Sequence, residues 1–267
     1  MISNHEIIKC ASQLRENIGI DIDETIGSIV EIIQNAGYQY VEDHFNNDFA
    51  GFSKYLDSFN YLIGYNLDQN WNDNFKRFTL AHELGHVSML KHCEILKKGI
   101  MHRSQPEYQS DNEIEREADY FAINFLAPKK LFEKQMEFKA FDTATIFALS
   151  DFFGISTYAA VLRFVELTDL TCSLIVCNKN GYIDYEKRSE KMKQTFRHDF
   201  LRNQKILGTT LTSDWIKGNK EEETCDIPLN EWYRGLDTEL DVTESVIELG
   251  YNNKYLTLLE PKDSDIF

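Results

Sequence analysis

The feature that most constrains the fold is a short segment at residues 82–86, which reads His-Glu-Leu-Gly-His. It lies inside a helical pattern at residues 75–91, where apolar residues recur at helical intervals. A spacing of four puts His82 and His86 on one face of a helix, one turn apart. Gly85 lacks a side chain and permits a neighbouring element to come close. We therefore expect a fold in which this helix face meets a closely packed partner.

Two imidazoles at this spacing are typical of a helix that binds one zinc ion. Glu83 follows the first histidine directly, so its carboxylate can approach a water molecule bound to that metal. Because zinc lowers the pKa of bound water to about 7, a carboxylate there can take its proton during attack on a peptide carbonyl. We predict one Zn²⁺ per chain, with His82 and His86 as ligands and Glu83 as the general base. The alternative is a structural pair of histidines on a surface helix.

A catalytic zinc ion needs a third protein ligand and an open fourth position. Glu115 is the predicted third ligand, because it lies on the next strong helical pattern, which a capping-box sequence at residues 110–113 starts. Asp119 follows one turn later on the same face, where its carboxylate can accept the N–H of a ligating histidine and fix its tautomer. The alternative is a solvated acidic face near the helix N-terminus, where negative charge is favourable.

Three other residues are rival ligands, and we rank them below Glu115. His92 and Cys93 are assigned to the same helix as the motif, from which they would reach the same metal only awkwardly. His102 is assigned to a loop that contains Gly and Pro.

Composition and charge narrow the class of protein. Hydrophobic residues make up 42% of the 267 residues, which indicates a folded protein with a substantial core. The formal net charge of -16 repels phosphate backbones, so direct DNA binding is not expected, whereas a basic protein partner is compatible. No apolar run is long enough for a membrane span, and the first residues lack the pattern of a signal peptide. The five cysteines form no CxxC pair. We therefore predict a cytoplasmic protein without membrane association.

The order of the patterns predicts an α+β fold in two domains. The first domain, residues 1–168, is expected to be mainly helical and zincin-like, with a small sheet. Its last part, at about residues 142–168, is a helix-turn-helix-like pair with helices at Thr143–Phe153 and Thr157–Leu167. Residues 171–267 carry strand patterns and an Asn-Lys-Asn-Gly hairpin signature, which predict a smaller α+β domain.

The helix pair raises the hypothesis of a transcription factor. Residues 142–167 contain three acids and one base, however, and a recognition helix needs several donors for phosphates and base edges. A helical subdomain packed on the first domain is therefore the preferred interpretation.

Two blocks of the sequence resemble the ImmA/IrrE metallopeptidases. The first is Arg-Phe-Thr-Leu-Ala-His-Glu-Leu-Gly-His at residues 77–86. The second is Glu-Arg-Glu-Ala-Asp-Tyr-Phe-Ala at residues 115–122, followed by Phe-Leu-Ala-Pro at residues 125–128. One departure is Ala127, where such proteins usually have Met before the proline, and it bears on core packing more than on chemistry.

The resemblance implies a gluzincin-like site. In that site His82, His86 and Glu115 bind zinc and Glu83 is catalytic. Asp119 contacts one of the ligands and does not bind the metal itself. Family members commonly cleave or inactivate helix-turn-helix repressors of mobile elements or stress responses. The resemblance therefore implies a zinc metalloendopeptidase whose protein substrate is such a repressor or a similar regulatory protein.

Some members of that family carry a C-terminal sensor-like domain similar to GAF domains, and residues from about 171 onward are expected to be its counterpart. A competing interpretation is a non-proteolytic, zinc-containing regulator that binds a repressor or toxin partner. Glu83 favours the enzyme, because a structural zinc site, usually closed by four protein ligands, would not require it.

Overall fold

The computed structural model mixes helices and strands along the chain, which confirms the predicted α+β class. It describes residues 1–46, 48–57, 60–68, 72–99, 101–104, 112–199, 201–236, 239–249 and 253–262. Contacts divide the chain into two compact units. The first contains Met1–Gln135 and Ser150–Ser156, and the second contains Met136–Leu149 and Thr157–Phe267. The domain boundary near residue 170 is inferred from the sequence pattern, and it stays a prediction.

The first unit contains a sheet and the helices that pack around it. Its helices are α1 (Asn4–Asn17), α2 (Ile29–Asn35), α3 (Asp73–Ser88), α4 (Leu90–Leu96), α5 (Glu113–Leu126) and α6 (Lys129–Met136). Its strands are β1 (Gln39–Asp43), β2 (Gly51–Tyr55), β3 (Tyr61–Asn66) and β4 (His102–Ser104). The strand order is β1-β3-β2-β4, with β1 parallel to β3 and the other neighbours antiparallel. Helix α3 contacts both central strands, β2 and β3.

Helix α1 fixes the far end of α5. A capping box starts α1, because the Ser3 side chain accepts from the backbone of Glu6 while the Glu6 side chain accepts from the Ser3 backbone. Arg15, near the end of α1, is only 1% exposed. Its guanidinium donates to the Phe125 carbonyl oxygen at 2.7 Å and to the Asp21 carbonyl oxygen at 2.6 Å. The last turn of α5 is thereby satisfied by a buried cation, which a helix C-terminus favours.

The predicted helix at residues 75–91 is in fact two helices. Helix α3 ends at Ser88, because Met89 adopts an extended conformation with φ −86° and ψ 122°, and α4 begins at Leu90. The break places the Met89 side chain in the core, where it is 2% exposed. A break of one residue hardly changes the apolar spacing, so the periodicity of the sequence could not reveal it.

Helix α5 lies close to its predicted position and starts at Glu113. Its N-cap is Asn112, whose side chain accepts from the backbone N–H of Ile114 at 3.1 Å. The predicted capping box begins at residue 110, which lies outside the described residues.

The second unit is built on an antiparallel sheet. Its strands are β5 (Ser173–Asn178), β6 (Ile183–Arg188), β7 (Thr224–Pro228), β8 (Asp241–Leu249) and β9 (Lys254–Pro261), in the order β6-β5-β9-β8-β7. Its helices include α8 (Thr157–Leu167), α9 (Glu190–Thr195) and α10 (Leu211–Ile216), and residues of both units form α7 (Thr143–Phe153). The predicted hairpin is present as β5 and β6. Likeness of this unit to a GAF domain stays a prediction.

Both helices of the predicted helix-turn-helix-like pair, α7 and α8, have the bounds that the sequence predicts. Within the described residues, no single helix has the length and apolar character that a bilayer span requires. Helices α7 and α8 meet both criteria only when they are counted together, and the pair is bent by 107°.

Candidate metal centre

Two glycines let the elements around the HExxH segment approach closely. Gly85 on α3 faces α5, and a Cβ atom there would lie 2.9 Å from a ring carbon of Phe121. Gly51 on β2 faces the same helix from the sheet side, where a Cβ atom would lie 2.6 Å from the Thr79 methyl group and 3.2 Å from a carboxylate oxygen of Glu83. A contact under 3.0 Å forces a neighbour to shift, so glycine at both positions permits these close approaches.

The structure brings four side chains from three elements to one point. His82 and His86 come from α3, Glu115 from α5 and His102 from β4. One ligand atom of each residue lies within 4.8 Å of the others. The Nε2 atoms of His82 and His86 are 3.0 Å apart. Glu115 Oε2 lies 3.3 Å from Nε2 of both His82 and His102, and its Oε1 lies 3.8 Å from Nε2 of His86.

The donor set has the chemistry of a zinc site. Three imidazoles and one carboxylate are ligands that zinc prefers. Within the described part of the chain, the buried Oε1 of Glu115 and Nε2 of His102 have no hydrogen bond of standard geometry. Buried polar atoms without a partner are costly, so a cation that both can bind fits the group.

Electrostatics also favour positive charge within the group. Burial alone lowers the pKa of His82, but hydrogen bonds to Asp119 and Glu115 outweigh it and raise the pKa to about 10. Burial alone raises the pKa of Glu115, but His102 and His82 outweigh it and lower the pKa to about 2. Burial, helped by the neighbouring imidazoles, lowers the pKa of His86. Glu115 is therefore ionised and His86 neutral at pH 7, the forms that bind a metal ion, whereas His82 would release a proton on binding one.

Asp119 lies where the sequence predicts a supporting residue. Its Oδ1 is 2.8 Å from Nδ1 of His82. A carboxylate accepts, so His82 holds a proton on Nδ1 and turns its Nε2 to the centre of the group, where a metal ion would replace the second proton.

Glu83 is fully buried next to this group. In the described part of the chain, neither of its carboxylate oxygens makes a hydrogen bond of standard geometry. Burial raises its pKa, and the nearby imidazoles of His102 and His82, together with the hydroxyl groups of Ser104 and Ser53, offset part of the rise. A buried carboxyl group with a raised pKa has the properties of a general base.

Two histidines that the sequence ranks as rival ligands lie closer to the group than expected. His102 lies on strand β4 rather than in a loop, and its ring centroid is 3.8 Å from that of His86. Three residues are too few for an alternating strand pattern, so only its pairing with β2 reveals this position. His92 and Cys93 lie on α4, a separate helix from the motif, because α3 breaks at Met89.

An HExxH helix that meets a glutamate from a following helix defines a zincin-type class of metal site. Residues 43–165 match the family model of the IrrE N-terminal-like domain, peptidase M78. The chain therefore contains an IrrE N-terminal-like domain, and the resemblance of the two sequence blocks to the ImmA/IrrE family is confirmed.

One solved structure with the same fold is described as a Mycobacterium tuberculosis transcriptional regulator. It superposes with a TM-score of 0.60 at 16% sequence identity, and the match covers 96% of this chain and 77% of that chain. At this identity the likeness concerns the fold alone. No curated protein sequence matches the chain.

Proposed function

We propose that the chain is a zinc-dependent endopeptidase in which Glu83 is the general base. The observation that carries the proposal is the position of Glu83, a fully buried carboxyl group beside the four-residue group. His82, His86 and Glu115 would hold the metal ion. Bound there, zinc would polarise the scissile carbonyl and activate water for attack.

The protein side chains have separate tasks in this proposal. Glu83 accepts the proton of the attacking water at its carboxylate and returns it to the leaving nitrogen. Asp119 keeps the His82 proton on Nδ1, so that Nε2 faces the metal position. Glu115 is ionised and contributes negative charge that offsets part of the charge of the metal ion.

A second candidate function is a non-proteolytic zinc-containing regulator. His102 is the observation that favours it, because four protein donors can close the coordination shell of zinc and leave no open position. The two functions therefore differ in whether His102 is a fourth ligand.

The first test measures metal content and cleavage together. Wild type, Glu83→Gln, His82→Ala and His102→Ala are purified without added metal, and zinc is counted by mass spectrometry. Each protein is then incubated with a library of peptides, and new termini are identified by mass spectrometry. The exposed Glu94→Gln on α4 is the matched control for Glu83→Gln.

The peptidase proposal expects about one zinc in wild type, its loss in His82→Ala, and cleavage that disappears in Glu83→Gln without loss of zinc. It also expects His102→Ala to keep its zinc. Zinc lost from His102→Ala as completely as from His82→Ala, together with no cleavage by wild type, would instead support the regulator.

The proposed substrate is a helix-turn-helix repressor. Support comes from the family and from the net charge of -16, which attracts the basic surface of a DNA-binding protein. A repressor encoded beside this chain is the natural probe. The proposal expects the repressor to be cleaved by wild type and to bind Glu83→Gln uncleaved, with binding that weakens as salt rises.

A further inference from the structure

His92 and Glu117 lie next to the group formed by His82, His86, His102 and Glu115. Hydrogen bonds link them to it through His86. Nδ1 of His92 is 3.0 Å from Nδ1 of His86, and Nε2 of His92 is 2.9 Å from Oε2 of Glu117. All three side chains are buried. The other oxygen of Glu117 accepts from the backbone N–H of Ile2, so the carboxylate is held at both ends.

We propose that His92 and Glu117 are positioning residues that set the tautomer of His86 and thereby direct its Nε2 to the metal ion. The inference rests on the proposed zinc site. It differs from the role of Asp119, which contacts His82 directly, because here an imidazole stands between the carboxylate and the ligand.

The order of donors and acceptors follows from the carboxylate. Glu117 accepts, so the proton of His92 lies on Nε2. A neutral imidazole carries one N–H, which makes Nδ1 of His92 an acceptor. Across the 3.0 Å contact, His86 must then donate from its own Nδ1. The lone pair of His86 is left on Nε2, the atom that lies 3.0 Å from Nε2 of His82.

The same geometry explains why two Nε2 atoms lie so close together. Asp119 holds the His82 proton on Nδ1, and the His92–Glu117 pair holds the His86 proton on Nδ1. Both Nε2 atoms therefore face one point. At 3.0 Å they can share one proton, and a cation bound between them and Glu115 would replace that proton.

The break at Met89 makes this contact possible. On a continuous helix, His92 would lie roughly 240° around the axis from His86 and point away from it. Because α4 starts afresh at Leu90, His92 turns back toward the end of α3 and reaches both His86 and Glu117.

The test compares His92→Phe with His92→Gln in the full-length chain. Phenylalanine keeps the ring volume but accepts no hydrogen bond, whereas glutamine lacks the ring but offers an oxygen that can accept from Nδ1 of His86. We expect zinc affinity, measured by competition with a fluorescent chelator, to fall about 10- to 100-fold in His92→Phe and less in His92→Gln. A packing role predicts the reverse order. That reverse order, or wild-type affinity in His92→Phe, would overturn the proposal.

A second measurement reads the tautomer directly. Long-range ¹H–¹⁵N NMR of the histidine rings should place the His86 proton on Nδ1 in the wild type, both with zinc and after chelation. A proton on Nε2 of His86 would overturn the inference. If the wild type binds no zinc but His86 carries its proton on Nδ1, the proposed function fails while the role of the pair stands.

Discussion

At the scale of single residues, the site depends on where protons are held. Asp119 contacts His82 directly at 2.8 Å, and Glu117 acts on His86 through His92. Hydrogen-bond acceptors outside a metal site raise the basicity of the ligands and fix their ring orientation. The affinity of the site for zinc should therefore respond to residues that do not touch the ion.

The substitution Asp119→Asn tests whether zinc affinity depends on a residue that does not touch the ion. The amide oxygen can still accept from Nδ1 of His82, but it lacks the negative charge, so we expect zinc affinity to fall about 10-fold. Chelator competition measures the change, and the exposed Asp241→Asn on β8 is the matched control. Equal zinc affinity in the Asp119 and Asp241 variants would show that Asp119 does not support His82.

A second prediction at this scale concerns pH and the thiol of Cys10. Burial raises the pKa of Cys10 to about 11, and the thiol donates to the Ser88 carbonyl oxygen. Only the thiolate reacts, so at pH 8 the folded protein should alkylate at Cys10 about 100-fold more slowly than the urea-unfolded protein. The folded rate should rise with pH until about pH 11. Labelling with iodoacetamide and peptide mass spectrometry measures both rates, and similar rates at pH 8 would contradict the prediction.

At the scale of elements, close packing of α3 on α5 decides whether ligands from two helices meet. Gly85 permits this approach, since the ring of Phe121 occupies the space of a side chain. Helix α5 then presents Glu115 to the two histidines of α3. A helix interior prefers alanine to glycine by about 1 kcal/mol, so Gly85 is unfavourable for the helix itself.

Gly85→Ala should therefore destabilise the protein although it improves helix propensity. Overpacking costs about 1–3 kcal/mol, which exceeds the gain in propensity at most sites. We expect a lower urea midpoint and weaker zinc binding, because α5 must shift. Adding Phe121→Leu should recover part of the loss by making room, and the absence of any recovery would argue against a clash between these two side chains.

At the scale of the whole molecule, two compact units share the chain, and the candidate site lies within the first. A metal ion that binds only the folded state stabilises it by mass action. Chelation should therefore lower the midpoint of thermal unfolding. At a free zinc concentration 1,000 times the dissociation constant, the lost stabilisation is about 4 kcal/mol.

Differential scanning calorimetry with and without EDTA measures this loss. Glu83→Gln should lose as much as the wild type, because Glu83 is not a proposed ligand, whereas His82→Ala should be insensitive to EDTA. A wild type whose unfolding midpoint does not change with EDTA would remove the zinc site from consideration.

The sequence predicted what local chemistry specifies. The α+β class, the bounds of α7 and α8, and the IrrE N-terminal-like domain follow from periodicity and from two sequence blocks. Spacing of four placed His82 and His86 on one helix face, because helix geometry alone fixes that relation. The meeting of Glu115 with these histidines was predicted as well, though spacing alone had left a solvated acidic face as an alternative.

Only the tertiary structure decided the rest of the site. His102 reaches it because β4 pairs with β2, a contact between residues about fifty positions apart that no local pattern encodes. His92 reaches it because burial of Met89 breaks the helix while apolar spacing continues almost unchanged. Local periodicity fixes which face of an element is apolar. Packing between distant segments fixes which polar side chains meet, and the residues around the candidate metal site depend on this packing.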